Sequence, residues 1–249
     1  AEETIGGKVY MAEAGLFKGY EAALIIHPGG ENEVGGTSLA THPLEVTFHG
    51  RSCHIASLTD SGINALDCAV DLYQRIKELK KTFPKGAIVG AIFTEAGTAP
   101  NVVTPKATIR MTVRGRTVDD LECIILPAIK AAAQEIAVSY GAQVEMHHYE
   151  PLFKDMRQDK RLLDLFTDVM TEFDEAPRIL PDEEADGSTD VGNVSYEVPT
   201  AQPTLQIGLG LEAHTPEFTC AAGSDYGLDQ AIKGAKIMAV VALRYAMHK

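Results

Sequence analysis

Between Leu44 and Met146 the apolar residues switch repeatedly between two spacings, and that switching narrows the fold sharply. Leu44-Glu45-Val46-Thr47-Phe48 alternates, as a half-buried strand does. Ile63, Leu66, Val70, Tyr73 and Ile76 then recur at three- and four-residue steps, which gathers them on one helix face. Asn64 or Ser61 is placed to cap that helix, and Pro84-Lys85-Gly86 to end it. Two apolar strands follow, Ala87 to Phe93 and Ala107 to Val113. A second helix spans 118–140, with Leu121, Ile125, Ile129, Ala132 and Ile136 as its buried stripe. Pro127 should kink it or mark a broken start, and Gly141 stops it. A last strand begins at Gln143. The order strand, helix, strand, strand, helix, strand belongs to the split βαβ sandwich, one sheet with two helices on a single face.

The flanks return to an α/β pattern. Lys8-Val9-Tyr10-Met11 opens a helix, and Ala22 to Ile26 reads as a buried strand with His27 at its end. The stretch Gly29 to Gly36 reads as a mobile loop. After Pro151, Leu162, Leu163, Phe166, Val169, Met170 and Phe173 form a helix stripe, and Thr204 to Ile207 a buried strand. Leu228, Ile232, Ala235, Met238 and Ala242 are expected to line the buried side of a final helix. The prediction is an α/β chain with a discontinuous domain, residues 1–39 and 153–249, and the split βαβ (ferredoxin-like) unit inserted at 40–152.

Charge and cysteine usage exclude some functions. A formal net charge of -13 repels nucleic-acid phosphates and anionic membranes. No apolar run approaches the roughly 20 residues of a spanning helix. Cys53, Cys68, Cys123 and Cys220 are scattered, as reduced thiols of a cytoplasmic protein would be.

The chemistry-bearing candidates are few. His27 stands before the turn Pro28-Gly29-Gly30, and ends of parallel strands are where α/β proteins place ligands. The plainer alternative is a sheet-edge cap. His214 lies in the small-residue loop from Gly208 to Pro216, where glycines let backbone approach a ligand. Glu2 and Glu3 are either an ordinary acidic terminus or a pair that divides between a metal and its water. His54, in Gly50-Arg51-Ser52-Cys53-His54-Ile55-Ala56, competes with the reading of an outward polar residue on a strand. His147 and His148 point to opposite faces and read as solvated. Asn101 lies in a turn and Arg114 at the end of the next strand; together an amide and a planar guanidinium suit a substrate carboxylate. Gly187 to Ser195 reads as a helix entry capped by Ser188 or Thr189. No dinucleotide fingerprint, phosphate loop or serine nucleophile elbow is present in the sequence.

Taken together, these stretches occur in the order of one family. Ala1-Glu2-Glu3, Ile26-His27-Pro28-Gly29, Gly50 to Ala56, Gly62 to Asp67, Ala99-Pro100-Asn101-Val102-Val103, Val113-Arg114 and Ala213-His214-Thr215-Pro216-Glu217-Phe218 carry the likeness. The chain resembles the dinuclear-metal amidohydrolases and peptidases related to aminoacylase-1, carboxypeptidase G and p-aminobenzoyl-glutamate hydrolase. The segment Gly187 to Ser195 resembles the last of these most. The resemblance implies Glu2 as general base and Glu3, His27 and His214 as metal ligands. It implies His54 as the oxyanion-stabilising group, often delivered by the partner subunit, and Asn101 and Arg114 as substrate-carboxylate contacts. It also implies a homodimer formed through the inserted dimerisation or lid domain. Two divalent metal ions are expected, zinc first, with manganese or cobalt as alternatives. The family's upstream His-x-Cys-Gly-His-Asp segment has no counterpart in this sequence, so the metal positions are expected to be incomplete in the chain alone. The implied activity is hydrolysis of a small-molecule amide: an N-acyl or N-aroyl amino acid, or a dipeptide, with a free carboxylate. The alternative is a non-catalytic dimerisation or binding module; a carboxylate-binding regulatory protein is a weaker third.

Overall fold

The computed structural model describes residues 5–56, 62–185 and 187–247. Its elements run α1 (Gly7–Glu13), β1 (Ala23–Leu24), β2 (His27–Gly29), β3 (Glu33–Thr37), β4 (Ala40–Thr41) and β5 (Leu44–His49). Then come α2 (Ala65–Leu79), β6 (Ile88–Glu95), β7 (Lys106–Gly115), a π-helical stretch (Asp120–Ile125), α3 (Leu126–Tyr140) and β8 (Gln143–His148). The chain finishes with α4 (Lys160–Glu172), β9 (Arg178–Ala185), α5 (Val191–Ser195), β10 (Thr200–Ala201), β11 (Thr204–Gln206), α6 (Pro216–Ala222) and α7 (Asp225–Met247). Two units separate: Leu39–Asp155 with the described residues ahead of Gly7, and Gly7–Ser38 with the described part of Met156–Lys249. Among the described residues no helix is long and apolar enough to cross a membrane.

In the inserted unit β8, β5, β7 and β6 lie side by side, antiparallel throughout, and β4 adds two residues beside the end of β7. Phe48, Leu72, Ile109, Met111, Ile125 and Ile129 are fully buried between sheet and helices. Asn64 caps α2 by accepting the Leu66 N–H. Pro127 falls in the first turn of α3, where its missing N–H costs little, so the break lies ahead of it in the π-helical stretch. Gly141 ends α3 in the left-handed conformation.

One helix face differs from the expected stripe. In α2 the buried residues are Ala65, Cys68, Ala69, Leu72 and Ile76, while Val70 is exposed. Tyr73 is half-buried and meets Phe93 of β6, ring centroids 5.8 Å apart. The pattern carried two apolar faces, and the denser one of small residues packs against the sheet. β6 is the edge strand here, with Ile88, Ile92 and Phe93 exposed.

His148 is not solvated. Its ring stacks on His42 at 3.4 Å between centroids and an interplanar angle of 14°. Nδ1 lies 3.0 Å from the Pro43 carbonyl and Nε2 2.9 Å from Lys130 Nζ, while His42 Nδ1 lies 2.6 Å from Glu122. Burial, then the His42 ring and Lys130, depress the His148 pKa against smaller opposing contributions from the Pro43 carbonyl and Glu122. The folded chain therefore keeps His148 neutral at pH values where the unfolded chain has begun to protonate it.

In the second unit β2, β11, β3 and β9 form a sheet, and β1 pairs with β10. The pairing of β1 and β2 with β10 and β11 is parallel and in one continuous register, from Ala23↔Thr200 to Gly29↔Gln206. His27 thus opens β2 instead of following a strand: its N–H donates to the Pro203 carbonyl at 2.9 Å. Pro28 falls at a position whose nitrogen faces away from β11, as an edge strand permits. The stretch expected as a mobile loop holds β3, which pairs in parallel with β9. Arg178 on β9 spans the pair by bonding Glu33 and Glu184. Leu162, Phe166, Val169 and Met170 of α4 are buried as expected. The final helix is turned: Gly227, Gln230, Gly234, Ile237 and Val241 of α7 are buried, while Leu228, Ile232 and Leu243 are exposed. At the start of this unit's first helix, Lys8 bonds the fully buried Asp190 through both its backbone N–H and its ammonium.

The His148 stack gives a signed pH expectation. A depressed imidazole pKa contributes stability that is present above the unfolded value, about 6.5, and is lost progressively as pH falls below it and through the lower folded value. Urea unfolding from pH 7.5 to 5 should show the parent losing more stability than His148→Gln; identical losses would contradict this account.

Candidate active site

The parallel pair β2 and β11 carries His27 as the first residue of β2 and leads, after β11, into the loop that bears His214. Both strands run the same way, so the loops after them, starting at Gly30 and Ile207, leave from one end of the sheet. The Ile207 N–H donates to the Gly29 carbonyl at 2.9 Å, and the Gly210 N–H and the Gln206 side-chain amide both reach the Gly30 carbonyl, at 3.3 and 3.2 Å. A Cβ on Gly30 would stand 2.6 Å from the Leu211 carbonyl oxygen, so only glycine lets the loops touch. Chain reach from that contact keeps His27 and His214 within roughly 25 Å at most. Both side chains are exposed, not buried among aliphatic neighbours.

His27 has a defined tautomer. Its Nδ1 lies 2.7 Å from the Pro28 carbonyl oxygen, which can only accept, so Nδ1 carries the proton. Nε2 is left with its lone pair, the form in which imidazole ligates metal. His214 is held differently. Its φ of 64° lies in the left-handed region, immediately before Thr215, which caps α6 by accepting the Phe218 N–H, with Pro216 in the first turn. A non-glycine residue there costs on the order of 1 kcal/mol.

His54 takes the opposite tautomer. The Ala56 N–H donates to its Nδ1 at 3.2 Å, so Nδ1 is unprotonated and the neutral ring carries its proton on Nε2. An exposed Nε2–H is a donor, the role an oxyanion requires. The loop bearing His54 is zipped to the loop bearing Asn101. His54 bridges Val102, the Ile55 N–H donates to the Asn101 carbonyl at 3.1 Å, and the Val103 N–H donates to the Cys53 carbonyl at 2.9 Å.

Arg114 does not join them within one chain. Asn101 lies just before β7, whereas Arg114 is its penultimate residue, roughly 25 Å further along at 3.3 Å per residue. There Arg114 pairs with Thr41, two residues from the unit boundary at Leu39. Glu2 and Glu3 lie outside the described residues. Among the described residues no group of three or more His, Cys, Asp and Glu is arranged to hold a metal ion.

A polar network at the end of β11 escaped the sequence reading. Glu175, in the turn after α4, is buried and accepts from Asn32, Gln230 and Lys233. Burial pushes its carboxyl up, but those three donors outweigh it and hold the group below the ordinary carboxylate range. A glutamate three residues past a helix gives no sequence signal of burial.

Residues 43–140 match the family model of the peptidase dimerisation domain. The Xaa-Arg dipeptidase of Mus musculus is 30% identical over 250 residues, covering 98% of this chain and 57% of that protein. The chain thus spans little more than half of that relative's length. A Bacillus subtilis structure described as a dinuclear metal-binding peptidase from the M20 family superposes with a TM-score of 0.68 at 20% identity, covering 98% of this chain and 63% of that one. An aminobenzoyl-glutamate utilization protein from Klebsiella pneumoniae superposes with a TM-score of 0.69 at 17% identity, covering 94% and 57%.

The left-handed backbone at His214 separates strain from chemistry. His214→Gly should unfold at no lower denaturant concentration than the parent and be about 1 kcal/mol more stable than His214→Ala. Equal stability of the two variants would show that the site carries no strain.

Proposed function

We propose that this chain, which belongs to the M20 peptidase family, carries part of the site of a metal-dependent amide hydrolase and acts as one within the full-length protein. Its substrates would be small N-acyl or N-aroyl amino acids, or dipeptides, that keep a free carboxylate. The mouse relative is named as a dipeptidase, which favours the dipeptide end of that range. The p-aminobenzoyl-glutamate end rests on the likeness of Gly187 to Ser195 and on the shared fold of the Klebsiella protein. Four free cysteines accord with a cytoplasmic setting.

The observation that carries this reading is the pair of opposed imidazole tautomers. His27 offers a lone pair and His54 a proton, the two forms that a ligand and an oxyanion donor respectively need. His27 and His214, with Glu3, are the residues we assign to hold divalent metal, zinc before manganese or cobalt. Nitrogen and carboxylate donors of this kind suit that choice. Bound metal would polarise the amide carbonyl and lower the pKa of water. Glu2 takes a proton from the attacking water and returns it to the leaving amine. His54 donates Nε2–H to the developing oxyanion. Asn101 and Arg114 each bind the substrate carboxylate.

The distance along β7 favours a site shared between two chains. One small substrate does not span from Asn101 to Arg114 of the same chain, so His54 and Asn101 act on a substrate held by a second copy. β6 is the edge through which we pair the two copies: a strand paired with β7 on one side only, bearing the exposed Ile88, Ile92 and Phe93, with Tyr73 of α2 against Phe93. A second reading has one observation in its favour, the match of residues 43–140 to the peptidase dimerisation domain. The chain is then a non-catalytic dimerisation module. Zinc bound in stoichiometric amount to the purified chain supports the first reading, and none supports the second.

His54→Ala and His214→Ala should each lose activity on an acyl amino acid by at least 100-fold while folding normally. Mixed and reassorted, they should recover about a quarter of parent activity, because half the dimers are hybrids with one intact site. No recovery would show that His54 acts within its own chain. Ile92→Lys in both proteins should abolish the recovery and yield monomers in sedimentation; a persistent dimer would place the interface elsewhere.

A further inference from the structure

The hydrogen-bond ladder between β11 and β3 is a single residue pair, Thr204↔Glu33, and the strands part beyond it. Gln206, the last residue of β11, is nevertheless fully bonded on that side. Its N–H donates to Asn32 Oδ1 at 2.8 Å, and its carbonyl accepts from the Gln230 side chain at 2.9 Å. Asn32 Nδ2 in turn donates to Glu175 Oε2 at 2.8 Å, and Gln230 to Glu175 Oε1 at 3.1 Å. Lys233 neutralises the same oxygen. One buried carboxylate thus fixes two side-chain amides, and those amides replace the missing ladder at the end of the strand. Asn32 closes the turn after His27, and Gln206 opens the loop that leads to His214.

We propose that Glu175 is a positioning residue that, through Asn32 and Gln230, holds the turn after His27-bearing β2 and the loop leading to His214 at a fixed separation. The contribution of that separation to metal binding rests on the function proposed above; the mechanical coupling of the loops does not. A buried carboxylate that accepts only from uncharged amides and one lysine has no role in proton transfer at the candidate site. Its effect is transmitted entirely through the two amides. A hydrogen bond to a charged group is stronger than one between neutral groups, so the arrangement needs the carboxylate and not merely an acceptor.

Glu175→Gln and Asn32→Ala are the test, since Asn32 is only half-buried and its loss spares the core. Amide hydrogen exchange of the metal-free chain is read over residues 29–32, 206–214 and 237–241, and zinc affinity is measured by calorimetry. Both variants should exchange faster in 29–32 and 206–214 together, with 237–241 still protected, and should bind zinc about tenfold more weakly. Faster exchange through 237–241 as well would reduce Glu175 to a general core stabiliser and overturn the proposal. So would a change confined to 29–32. His27→Ala and His214→Ala run alongside: if they bind zinc like the parent while the loops remain coupled, the metal role falls and the positioning role stands.

Discussion

Everything in the discontinuous unit depends on one parallel strand pairing between the two ends of the chain. Residues 23–29 lie against 200–206 in a single register, although the inserted unit separates them in sequence. A parallel pair has no turn to set its register, so side-chain fit must do so. Here the fit is tight: a Cβ on Gly29 would stand 2.1 Å from the Thr204 methyl, and one on Gly30 would strike the Leu211 backbone. A slip by one residue would turn His27 to the opposite face of the sheet and move Pro28 to a position where an N–H is required. The same pairing fixes His27 in β2 beside β11 and sends the loop that carries His214 out of the end of β11.

The inserted unit was legible in the sequence because its elements are long and each has one dominant period. Its strand and helix order, the Asn64 cap, the Pro127 break and the Gly141 stop all follow from local chemistry. Two helices misled for the same reason. α2 and α7 carry apolar residues on two faces, and periodicity cannot say which face packs inward. In both, the face rich in small residues wins: Ala65, Cys68 and Ala69 in α2, Gly227 and Gly234 in α7. Small residues admit close backbone approach, and the bulkier stripe is left outside. β3 was hidden because Gly35 and Gly36 read as loop, and β9 has no strand period to find, with Pro181 followed by Asp182, Glu183 and Glu184. His148 looked solvated because its stacking partner, His42, lies far away in sequence.

Of the candidate site, sequence gave the positions of His27, His54 and His214 but not their states. The tautomers come from backbone atoms one and two residues away, Pro28 and Ala56, whose directions depend on the turn geometry. The separation of Asn101 from Arg114 likewise required knowing that β7 is unbroken between them. That length is why the carboxylate contacts proposed for Asn101 and Arg114 are assigned to two copies and not to one.

The account therefore turns on the protonation of two exposed rings. Nitrogen-15 NMR of the imidazoles near pH 8, without metal, reads it directly. It should find His27 protonated at Nδ1 and His54 at Nε2. The same tautomer in both, or the reverse assignment, would contradict the roles of ligand and donor given to them.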